Sequence, residues 1–394
     1  MPEPAVFEPR LRNVRVVVAN WRDLDHSLAG GAEQYAWEFA RGLVEAGARV
    51  EFLTARDAGQ SRSQTRDGIK IVRRGGRFGY YVLGLLWLLV HRRRIDVVVD
   101  MEAGIPMFAP LAVSRRRTAL MLVVHHVHID QFGIHFPAPL AMIGRFLEGK
   151  AMPRVYRGVT TLAVSDSTRT AMVERLGWRG PITVLHNGNV VPEVIHVPSE
   201  DTIDRVVVLG RLVAQKRVDL VIRAVAALQA VRPALHLDIV GKGPERDRLE
   251  ALVADLNAEK FVTFHGFVSE TEKSALISRS RLHVCASDGE GWGQVVAETA
   301  GYGVPTVARD VVGLRDSVRS DTTGGLLPDT SADLGIVQAR LLIGISSALD
   351  ELDDPERREE ISSACVEWAA QFDWQTMRAG ARVLTALTLE GTTP

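Results

Sequence analysis

The sequence predicts an α/β protein made of two Rossmann-like, doubly wound domains that face each other across a cleft. Three observations carry this. Apolar runs of strand character alternate with glycine-rich turns and amphipathic helices, the alternation starts twice, and a segment with prolines and acids, Val191 to Asp201, separates the two starts. The expected boundaries are 1–190, 191–371 and a final helix, 372–394.

The chain of 394 residues is long enough for two cores, and 46% apolar with 24% charged residues is the balance of a globular protein. With 47 basic and 48 acidic residues the formal charge is −1, so no global field favours nucleic acid. Met1 to Asn13 lacks the apolar core of a secretory signal, which predicts a cytoplasmic protein. Cys285 and Cys365 stand far apart without a familiar ligand spacing and are expected to be small buried thiols. The longest apolar run, Tyr80 to Val90, is shorter than the roughly 20 residues a spanning helix needs. Arginines flank it at Arg73, Arg74, Arg77 and Arg92 to Arg94, which leaves two readings. A core helix is favoured; the other is a surface helix that rests Trp and Tyr in the headgroup region of the inner membrane face.

Taken in order, Val14 to Ala19 reads as the first strand, followed by a loop, Gly30-Gly31, and a helix with apolar positions from Ala32 to Val44. Gly47 ends it and Arg49 to Thr54 restores strand character, giving a β-α-β unit with glycine at its first turn. That glycine pair fits a nearby diphosphate or simply a tight turn. Strands follow at Ile69 to Val72, Ile95 to Val99 and Leu120 to Val124, the last leading to His125, His126 and His128. A sugar or phosphate contact suits one of these better than a metal, because no carboxylate or cysteine accompanies them at a familiar spacing. Beyond Thr161 to Val164 and Ile182 to Leu185 the pattern restarts. Arg205 to Leu209, the turn Gly210 to Arg217 and a helix Val218 to Val231 lead to His236 to Val240, Gly241-Lys242-Gly243-Pro244 and a helix Glu245 to Leu256. Phe261 to Phe264 is the next strand, and Asp350 to Gln371 reads as an acidic helical tail before a last helix near Gln375 to Leu389.

The richest stretch is Glu290 to Glu298. An apolar run, Leu282 to Cys285, breaks at Ser287-Asp288-Gly289, and a helical pattern begins near Gly293. The free N–H groups of such a helix start suit an anionic or hydroxyl-rich ligand. Eight residues are slightly more than two helical turns, which would place both carboxylates on one side of the element, where each can accept from hydroxyls.

Together these stretches resemble glycosyltransferase family 4, the retaining enzymes with the GT-B fold. The resemblance rests on Gly30-Gly31-Ala32-Glu33, the run Gly210 to Arg217, Gly241-Lys242-Gly243-Pro244-Glu245, Glu290 to Glu298 with Gly303-Val304-Pro305, and Phe372-Asp373-Trp374. It implies transfer of a hexose from a nucleotide diphosphate sugar to an acceptor glycan, lipid-linked glycan or small glycoside, with no metal or other cofactor. It makes 1–190 the acceptor domain and 191–371 the donor domain, with the helix 372–394 returning to the first. By motif position, Arg211 and Lys216 meet the diphosphate, Glu290 the sugar hydroxyls and Glu298 the ribose. Gly30, Gly31 and Gly210 belong to the donor site, with Gly31 offering its backbone to a phosphate. The backbone of Gly291, Trp292 and Gly293 lines the sugar, Gly266, Phe267 and Val268 lie near the base, and either His125 or His126 contacts the sugar. Trp292 stands where phenylalanine is usual, and Gln294 where an aliphatic residue is common.

The chemistry of these side chains agrees with that, since a departing nucleoside diphosphate gathers negative charge that a guanidinium fork and an ammonium can hold. Three other readings are weighed. A metal-dependent glycosyltransferase of another fold would use Asp23-Leu24-Asp25 but leaves the second α/β half unexplained. A nucleotide-sugar epimerase would need no acceptor, and a non-catalytic nucleotide-binding module would not need the full set of carboxylates and cations.

Overall fold

The computed structural model describes residues 11–102, 104–190, 192, 204–329 and 333–392. Apart from Pro192, the expected linker Val191 to Asp201 lies outside the described residues. The chain divides into two compact units, Met1–Gly188 with Trp374–Pro394, and Asn189–Asp373.

In the first unit the strands are β1 (Arg15–Ala19), β2 (Arg49–Thr54), β3 (Ser63–Arg66), β4 (Ile69–Arg73), β5 (Val97–Glu102), β6 (Ala119–Val124), β7 (Thr160–Ala163) and β8 (Ile182–Val184). Its helices are α1 (Gly31–Glu45), α2 (Gly79–His91), α3 (Phe132–His135), α4 (Ala138–Phe146), α5 (Met152–Val155) and α6 (Asp166–Leu176). Among the described residues these strands form an eight-stranded sheet in the order β3-β4-β2-β1-β5-β6-β7-β8. All neighbours are parallel except the edge pair β3 and β4. That hairpin turns at Asp67-Gly68, both at positive φ, the conformation a two-residue connection between twisted strands requires. Ser63–Arg66, for which the sequence offered no strand signal, carries little apolar surface because an edge strand needs little.

The second unit holds β9 (Arg205–Leu209), β10 (His236–Val240), β11 (Val262–Gly266), β12 (Leu282–Cys285), β13 (Thr306–Arg309) and β14 (Gly324–Leu327). With them run α7 (Val218–Leu228), α8 (Arg246–Asp255), α9 (Glu270–Ser278), α10 (Gln294–Gly301), α11 (Leu314–Ser317), α12 (Leu334–Leu352) and α13 (Pro355–Ala369). The strands form a parallel sheet in the order β11-β10-β9-β12-β13-β14. On one face α7 and α12 bury Val221, Val225, Leu341, Ile345 and Leu349 against Val206, Leu237 and Val284. Helix α12 shows why: Val337, Leu341, Ile345 and Leu349 recur every fourth residue and make one apolar stripe. The last helix, α14 (Trp374–Glu390), belongs to the first unit and packs along α1, where Arg378 pairs with Glu38 at 2.7 Å.

Both readings of Tyr80 to Val90 need correction. Helix α2 buries Tyr80, Gly84, Trp87 and Leu88, yet leaves Val82, Leu83, Leu86, Leu89 and Val90 exposed, as is Phe78 just before it. It is therefore a surface helix, and its Trp and the first of its two tyrosines point inward. Arg73 is buried against Asp23 rather than solvated. Among the described residues no helix is long and apolar enough to cross a membrane.

Candidate functional site

In a parallel sheet the side chains that meet a ligand sit beyond the carboxyl ends of the strands, where the strand order reverses. In the second sheet that reversal falls between β9 and β12. Gly210 to Lys216 leaves β9 and Ser287 to Gly293 follows β12, so the two motifs meet without any long-range design beyond the topology. Lys216 Nζ donates to Glu290 Oε1 at 2.6 Å. Behind the pair, the Asp288 N–H donates to the Gln215 carbonyl at 2.9 Å and Gln215 Nε2 to the Gly289 carbonyl at 2.7 Å. Burial opposes the charge on Lys216, but the Glu290 carboxylate outweighs it and the ammonium titrates above its ordinary value. Arg211 lies exposed at the same strand end.

The neighbouring turns are packed backbone to backbone. The Gly210 N–H donates to the Val240 carbonyl at 3.0 Å, and the Gly241 N–H to the Gly266 carbonyl at 2.8 Å. A Cβ on Gly241, at φ +144, would stand 1.8 Å from the Gly210 oxygen, and one on Gly243 would stand 2.1 Å from the Leu212 oxygen. Glycine is required here because only a bare backbone permits the approach. Phe267, beyond β11, is 78% exposed, with Lys242 Nζ 5.3 Å from its ring centre; Val268 follows, half-buried.

Glu290 and Glu298 do not share one helix. Gly293, at φ +82, is the N-cap of α10, so Glu290 stands in the turn before it and only Glu298 is helical. The sequence reading extended the helical period across a left-handed glycine that breaks it. Glu298 Oε1 instead pairs with Lys273 of α9 at 2.6 Å, a partner that sequence reasoning missed. Trp292 is buried, its ring 4.8 Å from that of Phe372, which leaves its backbone rather than its indole for a ligand.

In the first unit Gly30 and Gly31 open α1, as expected, and the Gly30 N–H donates to Glu33 Oε2 at 2.7 Å while Arg22 Nε holds Glu33 Oε1 at 2.8 Å. His125 and His126 follow β6 and differ sharply. His125 is buried edge-on to Tyr35 at 5.0 Å, and burial pushes its imidazole down to about 3, so it stays neutral. His126 is half-exposed, with Nε2 2.9 Å from Gln131 Nε2. Asp23 and Asp25, the alternative metal motif, are engaged by Arg73 at 2.5 and 3.2 Å. The structure also brings two carboxylates, Glu102 and Glu148, to His128, which no spacing in the sequence revealed.

Comparison with known proteins bears on the family and the fold. The family model for Glyco_transf_4, Glycosyltransferase Family 4, matches residues 29–189, and that for Glycosyl transferases group 1 matches residues 196–341. The chain belongs to glycosyltransferase family 4. Its two Rossmann-like units are those of the GT-B fold, and this family 4 chain superposes on sucrose-phosphate synthase from Thermosynechococcus elongatus with a TM-score of 0.76, 18% identity and coverage of 93% and 96% of the two chains. A lipopolysaccharide core biosynthesis glycosyltransferase, LpsD, of Rhizobium meliloti is 31% identical over 53% of the chain. A GDP-mannose-dependent alpha-(1-6)-phosphatidylinositol monomannoside mannosyltransferase of Mycolicibacterium smegmatis is 32% identical over 46%. The chain spans 58% and 47% of the lengths of these two relatives.

Proposed function

We propose that this family 4 chain transfers a hexose from a nucleoside diphosphate sugar to an acceptor hydroxyl with retention of configuration. The observation that carries the reading is the Lys216–Glu290 pair at the switch point of the second sheet, with Arg211 on the same strand end and bare glycine backbone beside it. Arg211 and Lys216 hold the diphosphate, Glu290 accepts from sugar hydroxyls, and Glu298, oriented by Lys273, accepts from the ribose. The backbone of Gly210, Gly291, Trp292 and Gly293 and the segment Gly266 to Val268 complete the donor residues of that unit. Gly30, Gly31 and one of His125 and His126 are assigned to the donor by the family pattern.

In the step itself the bond from C1 of the sugar to the diphosphate oxygen breaks, and its electron pair leaves with the phosphate. The acceptor oxygen forms its bond to C1 on the same face, and its proton passes to the departing phosphate oxygen. Cations that meet charge only as it develops lower the barrier, which is the role given to Arg211 and Lys216.

Thermal-shift measurements with UDP, GDP, ADP and their sugars test this first. A nucleotide at about 100 times its dissociation constant stabilises the folded chain by about 2.7 kcal/mol. The reading expects one base to do so and the matching sugar nucleotide to release its nucleoside diphosphate only when an acceptor is present. Conversion of donor alone would select an epimerase, and binding without transfer or hydrolysis would select a non-catalytic module.

A lipid-linked acceptor is favoured by the apolar surface of the first unit. Alongside the exposed face of α2, helix α4 exposes Leu140, Met142, Ile143 and Phe146. Arg77 lies over the rings of both Phe78 and Phe136, at 5.3 and 5.7 Å, so the starts of the two helices are neighbours. Apolar side chains rimmed by arginine suit an anionic bilayer surface. Flotation with anionic vesicles at low salt should carry the chain upward; failure to float removes the membrane from the account.

A further inference from the structure

One buried cluster takes no part in the donor chemistry. Glu102 ends β5, His128 lies in the loop after β6, and Glu148 sits on a π-helical turn, Leu147–Ala151, between α4 and α5. One ligand atom of each lies within 4.8 Å of the others. Both carboxylates are 0% exposed. Each is anchored through a single oxygen: the Gly104 N–H donates to Glu102 Oε1 at 2.6 Å, and the His128 N–H to Glu148 Oε1 at 2.6 Å. The remaining oxygens, Glu102 Oε2 and Glu148 Oε2, and His128 Nδ1 are buried with no hydrogen-bond partner among the described residues. Nδ1 stands 3.6 Å from Glu102 Oε1 and 3.7 Å from Glu148 Oε1, the anchored oxygens, too far for direct hydrogen bonds.

We propose that Glu102, His128 and Glu148 supply three ligands to one divalent transition-metal ion, Zn²⁺ or Mn²⁺, in the first unit. Ligand atoms bonded at about 2.0–2.2 Å around a tetrahedral ion stand roughly 3.4 Å apart, close to the separations of Nδ1 from the two carboxylates. A neutral imidazole and two carboxylates balance a double positive charge, and the mixed nitrogen and oxygen set suits Zn²⁺ or Mn²⁺ better than the all-oxygen cages of Ca²⁺. The backbone donors that fix each carboxylate are the outer partners such a site needs. The π-turn has its own place in this, because the extra residue in that turn of helix occurs where Glu148 comes up to the sheet edge. Bound there, the ion ties the loop that carries His126 and the α4–α5 segment to the end of β5. The proposal stands apart from the donor reading: it concerns other residues and its readout is metal content.

The untagged chain, stripped with EDTA and dialysed, is titrated with ZnCl₂ and with MnCl₂ alone. The proposal expects one ion per chain by elemental analysis after removal of excess, a rise in melting temperature on loading, and visible d–d absorption with CoCl₂. The Glu102→Gln/Glu148→Gln double variant should lose the ion. Unchanged binding by that variant, or a wild-type chain that retains no ion and shows no melting shift, overturns the site and leaves a proton shared within the cluster. Should the variant fail to fold, the Co²⁺ spectrum and the shift of one imidazole in histidine-labelled wild-type protein decide, and absence of both overturns it equally.

Discussion

Truncation of Lys216 separates the stability of the proposed donor site from its chemistry. Its ammonium lies 2.6 Å from Glu290, with side-chain exposures of 20% and 18%, so at an effective dielectric of 20 the gross attraction is about 6 kcal/mol. Desolvation offsets most of that, and a hydrogen bond between charged partners contributes about 1.5–3 kcal/mol net. Lys216→Ala should therefore lower stability by about 2 kcal/mol, and a double-mutant cycle with Glu290→Gln should return a coupling of similar size in urea melts. A domain with about 5–15 kcal/mol of stability stays folded under that loss. The turnover effect is distinct: loss of one donor aimed at developing charge lowers kcat by about 10²–10³. Release of the nucleoside diphosphate, measured with the donor that thermal shift selects, reads it. If Lys216→Ala keeps a folded chain and a turnover within about threefold of the parent, the ammonium does not stabilise the leaving group and the assignment is refuted.

Gly241→Ala should disrupt the second unit, since its Cβ would stand 1.8 Å from the Gly210 oxygen at φ +144; a loss of at least about 3 kcal/mol in chemical denaturation is expected, against near-neutral Gly325→Ala, where the added carbon meets nothing within 4 Å. His283 predicts a pH dependence. Burial first, then the charge of Lys216, holds its imidazole down at about 3 rather than near 6.5, so the folded state binds fewer protons than the unfolded one. The stability this confers is present above pH 6.5 and is lost as pH falls from there toward 3, with a slope of up to about 1.4 kcal/mol per unit. His283→Gln should flatten the acid limb of the stability curve, and an unchanged slope would show that other groups govern it.

Much of the second unit was legible because its turns are written in glycine. Gly210, Gly241, Gly266 and Gly293 all take positive φ; the first three mark places where a strand ends, and Gly293 marks the start of α10. The Lys216–Glu290 contact spans 74 residues, yet it follows once β9 and β12 are neighbours. Periodicity misled where it was carried through Gly293, because counting by helical turns presumes a helix that has not yet begun. The partner of Glu298 was hidden since Lys273 sits on a separate helix with an ordinary charged face. The Glu102–His128–Glu148 cluster joins three elements of distant sequence, so no ligand spacing announced it. A signal did exist: Asp100 and Glu102 interrupt a strand whose residues are all buried, and an acid in such a place needs a partner. Strand β3 escaped notice for the opposite reason, as a polar edge strand looks like a loop.

The central claim is that the second unit grips the diphosphate of an activated sugar through cations after β9. A crystal structure with the nucleotide that stabilises the chain tests it most directly. The account predicts phosphate oxygens within hydrogen-bonding distance of Lys216 Nζ and the Arg211 guanidinium, with the ribose at Glu298. A nucleotide bound with its phosphates away from both cations would contradict it.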